Sequence, residues 1–327
     1  MGRAWPLPQK GMTLLRVAVL IACIVLLWRA VDWREALDLL WQADLRWLGA
    51  AVLLLNLQTL LSTQRWRLTA AQLGIHIGPV DAVREYYHSQ IMNQSLPGGV
   101  VGDARRALRA RDQAGLLASS QAVVFERVAG QIGLLALLAL GLTVTFAAPG
   151  LQNWPDWLAT PAASIASIAL LAVFVMATSL WLNHRAASLF HKGTRSFRQA
   201  VLAPNVWRQQ AVLSLATASC NVAAFAFCAS ALGLTLPVLA TITVVPLILF
   251  AMVLPLSVGG WGLREGAAAM LFPAIGFSMG EGLTTSVAFG LVILASVLPG
   301  FVIGWTRPKI ANPTVSASEG LPRQVEP

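Results

Sequence analysis

Between Gln209 and Thr306 the only fully charged side chains are Arg264, Glu265 and Glu281. Two of them are adjacent in Val258-Gly259-Gly260-Trp261-Gly262-Leu263-Arg264-Glu265-Gly266. A guanidinium can hold a phosphate or carboxylate through two parallel hydrogen bonds. Glycines without Cβ let several backbone N–H groups turn toward one anion, and a helix that starts just after them adds the positive end of its dipole. Gly259, Gly260, Gly262, Arg264 and Glu265 are therefore a candidate anion site, with Pro255 breaking the chain upstream. The competing reading is structural: an Arg–Glu pair that snorkels to an interface, with glycines serving close helix packing.

A second stretch has the same design with more charge: Asn93-Gln94-Ser95-Leu96-Pro97-Gly98-Gly99-Val100-Val101-Gly102-Asp103-Ala104-Arg105-Arg106. Gly98, Gly99, Gly102, Asp103 and Arg106 are its candidate binding residues, and Asn93 and Pro97 support them. Asp103 is expected as a helix N-cap and Gly115 as the end of that helix. Arg105, Arg106 and Arg109 fall on one helix face, suited to anionic head groups. For Arg109 and Arg111 a solvated basic loop is the favoured reading. Glu126-Arg127 precedes one apolar run, and Arg65 and Arg67 follow another. A network among these either holds the first glycine hairpin or lines a polar path.

Other chemistries lack their residues. No nucleophile sits beside a base, no carboxylate cluster suits paired metals, and no Gly-x-Ser-x-Gly elbow occurs. His76, His88, His184 and His191 match no metal motif and are read as interfacial. Cys23, Cys220 and Cys228 fall in apolar segments without paired spacing and are read as packing residues. No cofactor and no metal is expected.

The elements that carry these motifs are apolar. Of 327 residues, 57% are hydrophobic and only 11% charged, with a mean hydropathy of +0.68, against about 25% charged residues in soluble domains. The net charge of +9 sits between hydrophobic blocks, so positive-inside bias explains it and no nucleic acid is implied. Blocks long enough to cross a bilayer are Leu14 to Trp28, Leu45 to Thr63, Val128 to Ala148, Trp157 to Leu182, Gln210 to Leu232 and Leu283 to Trp305. Two more stretches, Val80 to Arg106 and Pro237 to Phe272, are too polar or too interrupted for simple spans and read as re-entrant hairpins. The expected fold is an all-α polytopic membrane protein with six crossings and two re-entrant helical hairpins, eight hydrophobic segments in all.

Residues 1–306 are read as one integral membrane domain and 307–327 as a disordered cytoplasmic tail. Arg65, Arg67, Arg84, Arg105, Arg106, Arg109 and Arg111 mark one cytoplasmic loop, and Arg185, Lys192, Arg195, Arg198 and Arg208 mark another. Both termini are then cytoplasmic. Ala70-Ala71-Gln72-Leu73-Gly74-Ile75 reappears as Ala229-Ser230-Ala231-Leu232-Gly233-Leu234. This pairs a first copy, about 45–148, with a second, about 210–306. The two copies enter their broken hairpins from opposite sides, so the repeat is expected to be inverted, a pointer to a transporter's binding site.

Gln64-Arg65-Trp66-Arg67, Leu73-Gly74, Asn93-x-x-x-Pro97-Gly98-Gly99-x-x-Gly102-Asp103-x-x-Arg106, Glu126-Arg127, Leu232-Gly233 and Pro255-x-x-x-Gly259-Gly260-x-Gly262-x-Arg264-Glu265 occur in this order. Together they resemble the flippase-like membrane domain of lysylphosphatidylglycerol synthases, from about Leu45 to Trp305. The resemblance implies a lipid-translocating domain with re-entrant helices in the bacterial cytoplasmic membrane. The two-domain synthases add a soluble aminoacyl-transfer domain, so this chain is expected to be a stand-alone relative. Its partners would be membrane lipids, phospholipid, isoprenoid-linked or hopanoid-type, with a homo-oligomer or envelope-biosynthesis partners left open. Two other readings stand beside translocation: a membrane-embedded enzyme using Glu265, Asp103 or Glu126 as acid or base, and a non-catalytic scaffold.

Overall fold

A backbone that crosses hydrocarbon must satisfy its own N–H and C=O groups, and a continuous helix does this with any apolar sequence. The computed structural model describes residues 38–95, 100–147, 187–253 and 259–303, and among them every regular element is a helix. These are α1 (Leu45–Gln72), α2 (Pro79–Ser95), α3 (Val101–Ala147), α4 (Ala187–Val201), α5 (Trp207–Ala231), α6 (Val238–Phe250), α7 (Leu263–Leu271), α8 (Met279–Ser296) and the short α9 (Pro299–Val302). Short 3-10 turns, Ala251–Val253 and Phe272–Ile275, follow α6 and α7.

Among the described residues four stretches are long and apolar enough to cross a membrane: Leu45–Gln72, Val101–Thr145, Trp207–Ala231 and Met279–Val302. They match four of the six expected spans. Leu14 to Trp28, Trp157 to Leu182 and the tail 307–327 lie outside the described residues. The expected span Leu45 to Thr63 is exceeded, because α1 continues through Arg65, Trp66 and Arg67. Gly115 breaks α3 with φ 81° and ψ 164°, where the sequence expects a helix to end.

Among the described residues, α1 and α5 pack against each other more extensively than any other pair of helices, and they run antiparallel. The Asp44 N–H at the start of α1 donates to the Ala231 carbonyl at the end of α5, 2.8 Å away. At the opposite end Gln210 Nε2 donates to Thr69 Oγ1 at 3.0 Å. Small buried residues permit the approach, among them Ala51 and Ala70 on α1 and Ala218, Ala224, Cys228 and Ala229 on α5. Cys220 and Cys228 are free and buried, in line with a packing role, while Cys23 is outside the described residues. The core continues through Phe225, whose ring lies 5.3 Å from that of Phe289 on α8 and 6.3 Å from that of Phe272. Leu53, Val212, Leu291 and Leu140 face outward, as lipid-facing positions do.

Both α1 and α5 end in the same cap. Ile75 N–H donates to the Ala70 carbonyl and Gly74 N–H to Ala71; Leu234 N–H donates to Ala229 and Gly233 N–H to Ser230. The positive φ of Gly74 (80°) and Gly233 (79°) is what lets the chain turn back over the helix end. Each cap leads through a short connection to a helix, α2 or α6, that begins one arm of an interrupted segment. The second arms are the start of α3 and α7.

Gly133 shows how tightly α3 and α5 meet: a Cβ there would lie 2.4 Å from the Ser214 carbonyl oxygen. Gly133→Ala is expected to lower the thermal midpoint in detergent, at a cost of about 1–3 kcal/mol for overpacking. Gly49→Ala, with nothing within 4 Å, is expected to leave it unchanged.

Candidate functional site

Ionised side chains inside a membrane domain are expensive and must be paired. The first half gathers five of them. Arg65 on α1 reaches Glu126 on α3 at 2.7 Å, and Arg106 lies 2.7 Å from Asp103 and 3.5 Å from Glu126. Arg127 closes the network on Asp103 at 2.9 Å. Arg106 and Glu126 are 1% and 0% exposed. The Arg106 guanidinium lies over two rings, 4.4 Å from the Tyr86 centroid and 4.8 Å from that of Trp66. Such stacking compensates part of the lost hydration of the cation. Tyr86 also donates its hydroxyl to Glu126 (3.2 Å), Ser89 donates to Asp103 (3.0 Å), and Arg65 Nη1 donates to Thr217 on α5 (2.8 Å). Gly130 leaves the room that Arg65 occupies, since a Cβ there would lie 2.8 Å from its Nη2.

The expected N-cap is corrected. Helix α3 begins at Val101, so Asp103 lies inside its first turn and spends its carboxylate on Arg106, Arg127 and Ser89. Asn93, from the end of α2, accepts the Gly102 N–H through Oδ1 at 2.8 Å. Gly102 is required for this contact: a Cβ would fall 2.0 Å from the Ser89 carbonyl oxygen.

In the second half Gly259, Gly260 and Gly262 all have positive φ, at 57°, 86° and 87°. Glu265 Oε2 accepts the Gly262 N–H at 2.6 Å, and its other oxygen pairs with Arg264. Arg264 Nε donates to Ser286 Oγ on α8 at 2.9 Å, and Ser286 in turn donates to Glu265 at 3.2 Å. The guanidinium lies near the Trp261 and Phe289 rings, 5.3 and 5.4 Å from their centroids. Gly290 on α8 makes space, since a Cβ would lie 2.5 Å from Arg264 Nη2. Arg264 is thus fully buried and engaged within the chain, where it ties the glycine segment to α8.

The two glycine segments approach one another. A Cβ on Gly259 would lie 2.3 Å from Oε1 of Gln94, near the end of α2. Pro97, Gly98, Gly99 and Pro255 lie outside the described residues. Among the described residues no ion pair joins the Arg106 network to Arg264 and Glu265.

Other expected participants divide. Arg67 donates to the Ile77 carbonyl at 3.0 Å and to Gln64, so it braces the turn after α1 and is not part of the Glu126 network. Arg109, which a solvated loop would explain, pairs with Glu85 on α2. His88 is buried within α2, 1% exposed. Glu281 forms a capping box with Ser278 at the start of α8. Gly300 lets α9 meet Tyr87 and Ile91 on α2. Sequence reasoning missed Trp66, Tyr86, Gln94, Trp261, Ser286 and Gly290. Only the aromatics next to charges, Trp66 before Arg67 and Tyr86 after Glu85, carried any local sign.

Glu126→Gln would leave Arg65 and Arg106 without their shared counter-charge. A loss of about 3–5 kcal/mol is expected for breaking a buried pair, read as a fall in thermal midpoint in detergent that far exceeds that of Asp112→Asn at the surface.

A family model described as "Lysylphosphatidylglycerol synthase TM region" matches residues 13–300. No curated protein and no solved structure matches the chain.

Proposed function

The chain belongs to the family of the lysylphosphatidylglycerol synthase transmembrane region, and from that premise we propose that it is a lipid flippase, binding an anionic head group between its two glycine segments and moving it between leaflets. In this reading the chain makes and breaks no covalent bond. It has six crossings and two re-entrant hairpins in a bacterial cytoplasmic membrane, with both termini cytoplasmic.

The observation that carries the reading is the meeting of the two interrupted segments at Gln94 and Gly259. They come from halves whose leading helices, α1 and α5, run antiparallel and end in the same cap. Inverted halves with discontinuous helices supply alternating access: a shared site opens to one leaflet and then to the other as the halves rock. Each half also has its own rigid anchor next to the break, the Arg106 network in one and Arg264–Glu265–Ser286 in the other. Rigid arms flanking a movable junction let the junction shift without exposing bare charge to hydrocarbon. The engaged state of Arg264 favours a bracing role for it, with contact to the lipid falling to the residues around the junction.

Two experiments test this. Cysteines at Thr235 and Lys192 are expected to react with impermeant reagents from opposite compartments; labelling from the same side would remove the inverted arrangement. In a background with Cys23, Cys220 and Cys228 replaced by Ser, a disulfide between Gln94→Cys and Gly259→Cys is expected to stop the movement of fluorescent phosphatidylglycerol in reconstituted vesicles, with recovery on reduction. Unchanged movement with the bond formed would exclude the junction as the route.

A further inference from the structure

From Trp157 to Arg264 the chain contains no aspartate or glutamate, yet it carries Arg185, Lys192, Arg195, Arg198 and Arg208. Three of these cations lie at the elbow between α4 and α5. Phe197, Ala200 and Val201 turn one face of α4 inward, against Phe125, Ala129 and Leu73, with the Phe197 and Phe125 rings edge to face at 5.3 Å. By helical spacing Arg195, Arg198 and Gln199 fall on the opposite face, and all three are exposed. The elbow itself is closed. Leu202 N–H donates to the Arg198 carbonyl at 3.0 Å, and the Val206 and Trp207 N–H groups both donate to the Ala203 carbonyl, at 3.0 and 2.9 Å. Arg208, also exposed, follows Trp207 in the first turn of α5, its guanidinium 5.6 Å from the centroid of that ring.

This elbow lies where the spans end. Gln210, in the first turn of α5, donates to Thr69 near the end of α1, and Leu73 after α1 packs on the inward face of α4. Trp207, Ala211 and Leu215 follow one another at i, i+4 and i+8, all exposed, with exposed Val212 beside them, so the lipid-facing stripe of α5 runs down to Trp207. A tryptophan at the end of such a stripe marks the head-group level. An arginine next to it keeps its stem on the apolar surface and its guanidinium among phosphates. Exposed Leu202 adds an apolar side chain at the same turn. Carboxylates at this end of the spans are engaged elsewhere: Asp81 with Arg84, Glu85 with Arg109 and Asp112 with Arg111. Among the described residues no carboxylate pairs with Arg195, Arg198 or Arg208. A basic loop held in water accounts for the charge but not for Trp207 and Leu202 exposed among the arginines. The negative surface of a bilayer answers both.

We propose that the α4–α5 elbow is a docking surface for anionic phospholipid of the leaflet at which α1 ends, with Arg195, Arg198 and Arg208 on the lipid phosphates and Trp207 and Leu202 at the boundary of head groups and acyl chains. These lipids hold the elbow to the bilayer and are not cargo, so the proposal stands independently of the flippase reading.

A fluorescent label on Gln199→Cys, with Cys23, Cys220 and Cys228 replaced by Ser, tests this in vesicles of equal parts phosphatidylglycerol and phosphatidylcholine. One lipid or the other is brominated to quench the label. Brominated phosphatidylglycerol is expected to quench about fivefold more effectively than brominated phosphatidylcholine, the scale of one arginine at an anionic surface. The ratio is expected to fall to about one in the triple variant Arg195→Gln, Arg198→Gln, Arg208→Gln, and to fall with added salt. Arg111→Gln, an exposed arginine that sits beside Asp112, is expected to leave it unchanged. All three substituted arginines are exposed, so the thermal midpoint in zwitterionic detergent is expected to stay at the wild-type value, which separates lost lipid contact from lost fold. Equal quenching by the two lipids in the wild type, or a ratio that survives the triple substitution, would overturn the proposal. So would quenching by aqueous iodide with neither lipid effective, which makes the face a solvated one, and so would protection from iodide and both lipids, which puts protein on it.

Discussion

Charge in hydrocarbon has to be answered by opposite charge, by hydrogen bonds or by aromatic faces, and this requirement organises the molecule. The Arg65–Glu126–Arg106–Asp103–Arg127 network joins α1 to α3, reaches α5 through Thr217 and α2 through Tyr86 and Ser89. It therefore ties four helices at one place. Apolar contacts between these helices cannot do the same, because lipid tails solvate Leu and Val as well as another helix does. The polar network supplies specificity that the apolar surfaces lack, and small residues such as Gly102, Gly130 and Gly133 let the helices come close enough to form it.

The second half solves the same problem in another way. Arg264 and Glu265 are neighbours in sequence and neutralise each other, and Glu265 at the same time holds the Gly262 N–H that begins α7. One carboxylate thus pairs a buried cation and caps a helix. The result is electrically closed, with Ser286 and the Trp261 and Phe289 rings completing it.

The glycines have several physical tasks here. Gly74 and Gly233 turn the chain at positive φ, Gly130 and Gly290 leave space for guanidinium groups, and Gly102 and Gly133 allow backbone contact. That Gly130 and Gly290, each on the long helix after an interrupted segment, both make room for an arginine is a correspondence between halves beyond the Leu-Gly caps.

Much of the fold was legible in the sequence, because it follows from local chemistry: among the described residues four expected apolar runs became helices, Gly115 broke α3 where a glycine should, and the Leu73-Gly74 and Leu232-Gly233 echoes became identical caps. The identity of the charged residues at the two breaks was legible for the same reason, since few charges occur in such surroundings. What the sequence could not decide was who pairs with whom. That Arg65 meets Glu126 and Arg67 does not depends on a 61-residue loop closing in three dimensions, and that Asn93 holds the Gly102 N–H depends on α2 lying against the start of α3. Pairing is a property of distance between segments, and distance between segments is set only when the helices pack.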